Sequence, residues 1–88
     1  MLFMVIERLG GRDTAALVYQ RYRERGRMTP DGLTYLASWV EPDFTRCFQL
    51  MECDDPALLS EWTARWRDLV EFEIVPVITS DDAARAMS

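Results

Sequence analysis

The feature that most constrains the fold of this chain is a shortage of helices. Four segments have the pattern of β-strands with apolar residues on both faces, and only two segments have the pattern of helices. The predicted strands are Leu2–Glu7, Leu33–Glu41, Arg46–Cys53 and Glu71–Ile78, and the predicted helices are Asp13–Gly26 and Pro56–Val70. Right-handed connections in a β-α-β-β-α-β chain place both helices on one face of the sheet. We therefore expect an α+β fold of the ferredoxin-like type, with a four-stranded antiparallel sheet.

The other face of this sheet has no helix to cover it, and it is expected to be apolar. A soluble monomer rarely exposes a continuous patch of this kind. A second copy of the chain is therefore the expected partner, in a homodimer that joins the uncovered faces. These faces are predicted to carry Phe3, Val5, Tyr35, Trp39, Phe48, Leu50, Val75 and Val77.

The hairpin between strands two and three determines which side chains share a face. If Glu41 opposes Arg46, one face carries the pairs Trp39–Phe48, Ala37–Leu50 and Tyr35–Glu52. The opposite face then carries Val40–Cys47, Ser38–Gln49 and Leu36–Met51. The second set is expected to meet the helices, because Cys53 shares its face and lies just before the second helix. A shift of one residue would exchange the two sets.

The chain is long enough for one domain, predicted over residues 1–78. Asp13 is the expected N-cap of the first helix, and Asp55 that of the second, with Pro56 at its first position. Residues 79–88 are predicted to form a tail or a short helix capped by Thr79 or Ser80.

The composition excludes several kinds of chemistry. The chain of 88 residues contains no His, no Lys and no Asn, and its net charge is −5. Without His it lacks the commonest ligand for metals and haem, so no metal and no cofactor is expected. The acidic charge argues against binding nucleic acid. The segment Arg46-Cys47-Phe48-Gln49 faintly resembles the third strand of RNA-recognition motifs, but the glycines of that motif are absent.

A cytoplasmic location is the default expectation, without a membrane segment. The apolar start, Met1–Ile6, is too short for a signal-peptide core, and no apolar run approaches the length of a membrane span. Cys47 and Cys53 lie too far apart along one strand to form a disulfide with each other. Both are interpreted as buried free thiols, which suit a reducing compartment.

Glu52 is the most suggestive candidate for chemistry. It is predicted to face Tyr35 across the hairpin, where enclosure by a partner would raise its pKa. An ordinary carboxylate at a strand end is the favoured interpretation. Arg46 could hold an anionic ligand, although an ion pair with Glu41 is favoured. The cations at the end of the first helix are interpreted as solvated charges that favour the helix dipole, namely Arg21, Arg23, Arg25 and Arg27.

Several stretches resemble a family of short bacterial domains of unknown function. They are Gly26-Arg27-Met28, Ser38-Trp39-Val40, Cys47–Glu52, the pair Trp62 and Trp66, and Asp68–Val77. The resemblance covers nearly the whole chain. It implies membership of the dimeric α/β-barrel group of ferredoxin-like folds, in which a pocket lies inside the barrel or between sheet and helices. That group includes enzymes, haem proteins and ligand-binding domains, so fold does not select function.

Three functions follow as hypotheses. The leading one is a dimeric barrel that binds a small apolar or weakly acidic molecule in a pocket lined by Tyr35, Trp39, Phe48, Glu52 and Arg46. The first alternative is a small cofactor-independent enzyme of monooxygenase or isomerase type, in which Glu52 is the acid/base and Tyr35 its hydrogen-bonding partner. The second alternative is a structural dimer without a ligand.

Overall fold

A single antiparallel sheet with the strand order β2-β3-β1-β4 organises the computed structural model, which describes residues 1–88. The seven elements follow the chain as β1 (Leu2–Arg8), α1 (Arg12–Arg25), β2 (Thr34–Val40), β3 (Arg46–Glu52), α2 (Ala57–Ala64), β4 (Glu71–Val77) and α3 (Ser80–Ala86). This order confirms the predicted α+β ferredoxin-like arrangement. None of the helices has the length and apolar character needed to cross a membrane.

The helices differ from the predicted ones mainly at their ends. Helix α1 begins one residue early, with Gly11 as its N-cap at φ 118°, so the prediction that Asp13 caps it is wrong. A positive φ of this size favours glycine, which has no Cβ to clash. Helix α2 ends at Ala64 because the chain then tightens into turns with three-residue spacing, such as the bond from the Trp66 N–H to the Thr63 carbonyl at 3.0 Å. Thr79 caps α3, and its hydroxyl accepts a hydrogen bond from the Asp82 N–H.

Replacing Asp55 with alanine should lower the free energy of unfolding by about 1 kcal/mol, because its carboxylate satisfies an N–H at the start of α2. Pro56 is the N-cap of α2, so the prediction that Asp55 caps this helix and that Pro56 is its first residue is wrong by one position. The Asp55 Oδ1 still accepts a hydrogen bond from the Ala57 N–H at 3.0 Å. Asp54→Ala is the matched control, since Asp54 has the same charge and makes no side-chain hydrogen bond. Urea unfolding of the two variants measures the difference. Equal destabilisation of both would mean that the effect comes from charge and not from the cap.

The core lies between the sheet and helices α1 and α2. It contains Ala15 and Val18 of α1 and Leu59 and Trp62 of α2, packed on Phe3, Val5, Cys47 and Met51 of the sheet. The prediction that Phe3 and Val5 lie on the uncovered face is therefore wrong. Strand β1 is apolar on both faces, so alternation alone could not identify the buried one.

The face opposite the helices, here called the open face, carries half-buried and exposed apolar side chains. The predicted pairs Trp39–Phe48 and Ala37–Leu50 are confirmed, and Trp39 is 56% exposed. Side chains of β1 and β4 complete the open face, namely Leu2, Met4 and Ile6 of β1 and Val75 and Val77 of β4.

A β-bulge in β2 changes the register predicted for the start of the hairpin. Tyr35 pairs with Met51 and Ala37 pairs with Leu50, so Leu36 is an extra residue between them. An extra residue moves the side chains beyond it to the other face. The predicted pairs Tyr35–Glu52 and Leu36–Met51 are therefore wrong, and Glu52 opposes Thr34 instead.

A candidate ligand cavity between the sheet and helix α1

A cavity of about 140 Å³ lies between the sheet and the helices, on the side opposite the open face. Glu7, Cys47 and Gln49 of the sheet form its floor, and Val18, Tyr22 and Trp62 form part of its walls. A cavity of about this size accommodates one benzene ring in a protein core. We call this space the Glu7 cavity.

A chain of three polar side chains crosses the floor. The Gln49 Nε2 donates a hydrogen bond of 2.8 Å to the Glu7 Oε1, and the Arg27 Nε donates one of 3.0 Å to the Gln49 Oε1. Glu7 is only 6% exposed and Gln49 only 4%. A carboxylate this deeply buried is uncommon, because its desolvation is costly unless it is paired. Gln49 therefore holds Glu7 and Arg27 in fixed positions on either side of itself.

Two groups among these three polar side chains remain available to a ligand. The Glu7 Oε2 makes no hydrogen bond, while no fully enclosed side-chain nitrogen or oxygen lacks a partner. This oxygen must therefore keep accessible surface, and the cavity that Glu7 lines supplies it. The two Nη atoms of Arg27 also make no hydrogen bond within the chain, since the Nε alone is engaged. The cavity thus offers one carboxyl oxygen and one guanidinium edge.

Burial determines the protonation of the groups around the cavity. It raises the pKa of the Glu7 carboxyl from 4.5 to about 7, although the Arg27 charge and the Gln49 hydrogen bond oppose the shift. Burial, followed by the nearby Glu7 charge, raises the pKa of the Cys47 thiol to about 12. Burial also raises the pKa of Tyr19. Near neutral pH, Cys47 and Tyr19 are therefore uncharged, and a neutral thiol is a poor nucleophile.

Neighbouring aromatic residues fix both the backbone and the side chain of Arg27. The Trp62 and Trp66 indole N–H groups both donate to the Arg27 carbonyl, at 2.9 and 3.1 Å. Its guanidinium lies 3.6 Å from the Tyr35 ring centre and 5.2 Å from that of Tyr22. Stacking on an aromatic face fixes the plane of a guanidinium and leaves its edge free. The two tryptophans are four residues apart, so both reach the same carbonyl from one side of the chain.

The residues predicted for the barrel pocket do not form one site within the chain. Trp39, Phe48 and Arg46 lie together on the open face, and the Arg46 guanidinium is 5.1 Å from the Phe48 ring centre. Glu52 shares that face but lies at the opposite end of β3. Tyr35 lies on the helix side of the sheet, where its hydroxyl shares a hydrogen bond of 2.7 Å with that of Ser38.

The favoured interpretation of Arg46 is confirmed. Its Nε and Nη2 bind both oxygens of Glu41, at 2.6 and 3.1 Å. Ser38 and Gln49 are paired across the hairpin as predicted, but their side chains do not bond to each other, because Ser38 binds Tyr35 and Gln49 binds Glu7 and Arg27.

Sequence reasoning missed Glu7 and Arg27 as site residues. Arg27 was grouped with the solvated cations at the end of the first helix, although it lies past the Gly26 that ends α1. The available signal for Glu7 was its position in β1, two residues after Val5 and four after Phe3, on what is now the buried side. A charged residue that alternates along a strand with buried apolar residues is expected to be buried, and a buried charge is a candidate for a functional site.

Fold and cavity together define the class: an α+β ferredoxin-like domain in which Gln49 bridges a buried carboxyl and a half-buried guanidinium beside a small cavity. Within that class, the whole chain, residues 1–88, matches the family described as "Domain of unknown function (DUF3303)", and the protein belongs to this family. This confirms the resemblance to a short domain family of unknown function. No curated protein and no solved structure gives a significant match.

Proposed function

We propose that the protein binds a small, ring-sized, weakly acidic organic molecule in the Glu7 cavity. The observation that carries this proposal is the free Glu7 oxygen, buried in the core and open to a cavity that is otherwise mainly apolar. Ligand sites commonly combine apolar walls with a few fixed polar groups that orient the ligand. Here Glu7 and Arg27 supply the polar groups, and Val18, Tyr22 and Trp62 supply the walls.

The energetic cost of Glu7 supports a function over a purely structural role. Each unit of pKa shift corresponds to about 1.4 kcal/mol, so an ionised Glu7 costs the fold about 3 kcal/mol. An apolar residue at this position would avoid the cost. Groups that destabilise the fold in this way are concentrated at functional sites.

We also propose that two copies of the chain associate through their open faces. The centre of each face is apolar, and its charges lie at the strand ends, where Arg8 pairs with Glu73 and Arg46 pairs with Glu41. An apolar centre with a charged rim is typical of a protein interface. Dimerisation would leave the Glu7 cavity on the outer side of each sheet.

The area of the open face suits this dimer. Four strands of seven residues, spaced about 4.8 Å apart, give a flat area of roughly 450 Å². Side-chain relief increases the accessible area above this value.

The other hypotheses gain less support. A cofactor-independent enzyme built on Glu52 and Tyr35 requires the two groups to act together, and they lie on opposite faces of the sheet. A structural dimer without a ligand gives no reason for an open cavity beside a buried carboxyl. A cytoplasmic location remains part of the proposal, because Cys47 and Cys53 are both buried free thiols.

Filling the cavity should weaken binding without unfolding the protein. Val18→Phe adds a ring into the Glu7 cavity, so we expect benzyl alcohol to bind at least about tenfold more weakly to this variant than to wild type. The matched control is Leu17→Phe, because Leu17 is the next residue of α1 and is exposed. NMR titration of the Trp62 and Trp66 indole N–H signals measures the binding. The proposal fails if neither benzyl alcohol nor benzoate gives wild type a saturable shift, or if Val18→Phe binds the probe as well as wild type.

A further inference from the structure

We propose that the ligand of the Glu7 cavity is a ring-sized monocarboxylic acid, bound as its anion together with one proton. Its carboxylate pairs with the Arg27 guanidinium and accepts a hydrogen bond from the protonated Glu7 carboxyl. This inference rests on the proposed function, because it names the class of molecule that the cavity takes.

The two free groups at the cavity are suited to a carboxylate. The Arg27 Nε is occupied by Gln49, which leaves the Nη edge free, and the Glu7 Oε1 is occupied by Gln49, which leaves the Oε2 free. A ligand carboxylate has two oxygens, and each can accept one hydrogen bond from these two sides. Stacking on Tyr35 holds the guanidinium in place before the ligand arrives, which reduces the entropic cost of binding.

The charges around Glu7 select an anion. The groups that face it are Arg27, Cys47, Tyr19 and Gln49, and Arg27 is the only cation among them. With Glu7 protonated, the site carries one positive charge that no carboxylate within the cavity neutralises. An amine would meet the like charge of Arg27. A dicarboxylate would bring a second negative charge into a low-dielectric space that contains no second cation.

Binding must then include a proton. An ionised Glu7 would place its negative charge against that of the ligand, so the complex favours the protonated carboxyl. Burial already raises the pKa of Glu7 to about 7, and a bound anion raises that pKa further. Affinity should therefore be highest below about pH 7 and fall as the pH rises above it. If only the protonated form binds, affinity falls about 30-fold between about pH 6 and about pH 8.5.

Isothermal titration calorimetry with benzoate tests this inference, and benzyl alcohol is the uncharged probe of similar size. Wild type should bind benzoate more tightly than benzyl alcohol at about pH 6, and should take up about one proton per benzoate above pH 7. Repeating the titration in buffers of different ionisation enthalpy counts these protons. Glu7→Gln mimics the protonated carboxyl, so it should bind benzoate with little dependence on pH. Arg27→Gln should bind benzoate at least about tenfold more weakly, because it removes the charge partner.

The outcomes separate this inference from the proposed function. If benzyl alcohol binds as tightly as benzoate and neither depends on pH, the cavity is a ligand site but the carboxylate assignment is wrong. If benzoate affinity rises with pH, or if Glu7→Gln keeps the pH dependence of wild type, the claim that a protonated Glu7 binds the ligand is wrong. If neither probe binds wild type at any pH, the proposed function itself fails.

Discussion

Glu7→Gln should make the protein more stable than wild type by about 3 kcal/mol at about pH 8, and should leave stability unchanged at about pH 4. Burial raises the pKa of Glu7 from 4.5 in the unfolded chain to about 7 in the folded protein. A carboxyl with a raised folded-state pKa contributes stability below its unfolded pKa, and this contribution is lost as the pH rises through its folded pKa. Glutamine keeps the shape of the side chain and the hydrogen bond to Gln49 but cannot ionise. The variant therefore does not lose stability as the pH rises.

Urea unfolding of the unliganded protein at the two pH values measures this effect. Glu52→Gln is the matched control, because Glu52 is an exposed carboxyl on the other side of the sheet. Its replacement should change stability by less than about 0.5 kcal/mol at either pH. A Glu7→Gln variant that is less stable than wild type at about pH 8 would show that the Glu7 charge strengthens the fold, and the argument for a functional carboxyl would then be lost.

Trp39→Ala should convert the proposed dimer to monomers at micromolar concentration. Trp39 is the most exposed aromatic residue of the open face, and replacing an interface tryptophan with alanine commonly costs about 2 kcal/mol. A twofold dimer buries two copies of Trp39, so the variant should lose about 4 kcal/mol, or roughly 1,000-fold in the dissociation constant. Sedimentation velocity over a dilution series measures the dissociation constant.

The control for this change is Leu17→Ala, an exposed apolar residue of α1 on the opposite side of the molecule. It should leave the dissociation constant unchanged. A wild-type protein that sediments as a monomer at micromolar concentration would contradict the proposed dimer. A Trp39→Ala variant that dimerises as tightly as wild type would place the interface elsewhere.

The fold could be predicted because local signals agreed with one another. Gly10 and Gly11 follow the first strand, Asp55 and Pro56 directly precede the second helix, and Thr79 caps the third. These signals depend on neighbouring residues alone, so one sequence is enough to recognise them. The order of strands and helices then leaves few topologies.

The faces of the strands could be predicted only in part. The pairs from Glu41–Arg46 to Ala37–Leu50 follow from the hairpin, but the bulge at Leu36 has no glycine or turn residue that marks it. The bulge places Tyr35 on the helix side of the sheet, away from the open face where the predicted pocket residues Trp39 and Phe48 lie. Only pairing with the neighbouring strand decides where an extra residue lies.

The candidate site could not be predicted, because its members meet only through tertiary structure. Glu7 and Arg27 are brought together by Gln49, which lies on a third element, and each lies at least 20 residues from the next. Each has an ordinary explanation when considered alone: a charge at a strand end and a cation after a helix. Their position on either side of Gln49, beside a cavity, gives them their chemical meaning.

The most direct test of a ligand site at Glu7 is an NMR titration of its side-chain carboxyl carbon against pH, with and without benzoate. The free protein should titrate with a midpoint of about 7, and saturating benzoate should move that midpoint upward, because a bound anion in contact with Glu7 disfavours its ionisation further. A midpoint close to the ordinary 4.5 that benzoate leaves unchanged would contradict both the buried charge and the proposed ligand cavity.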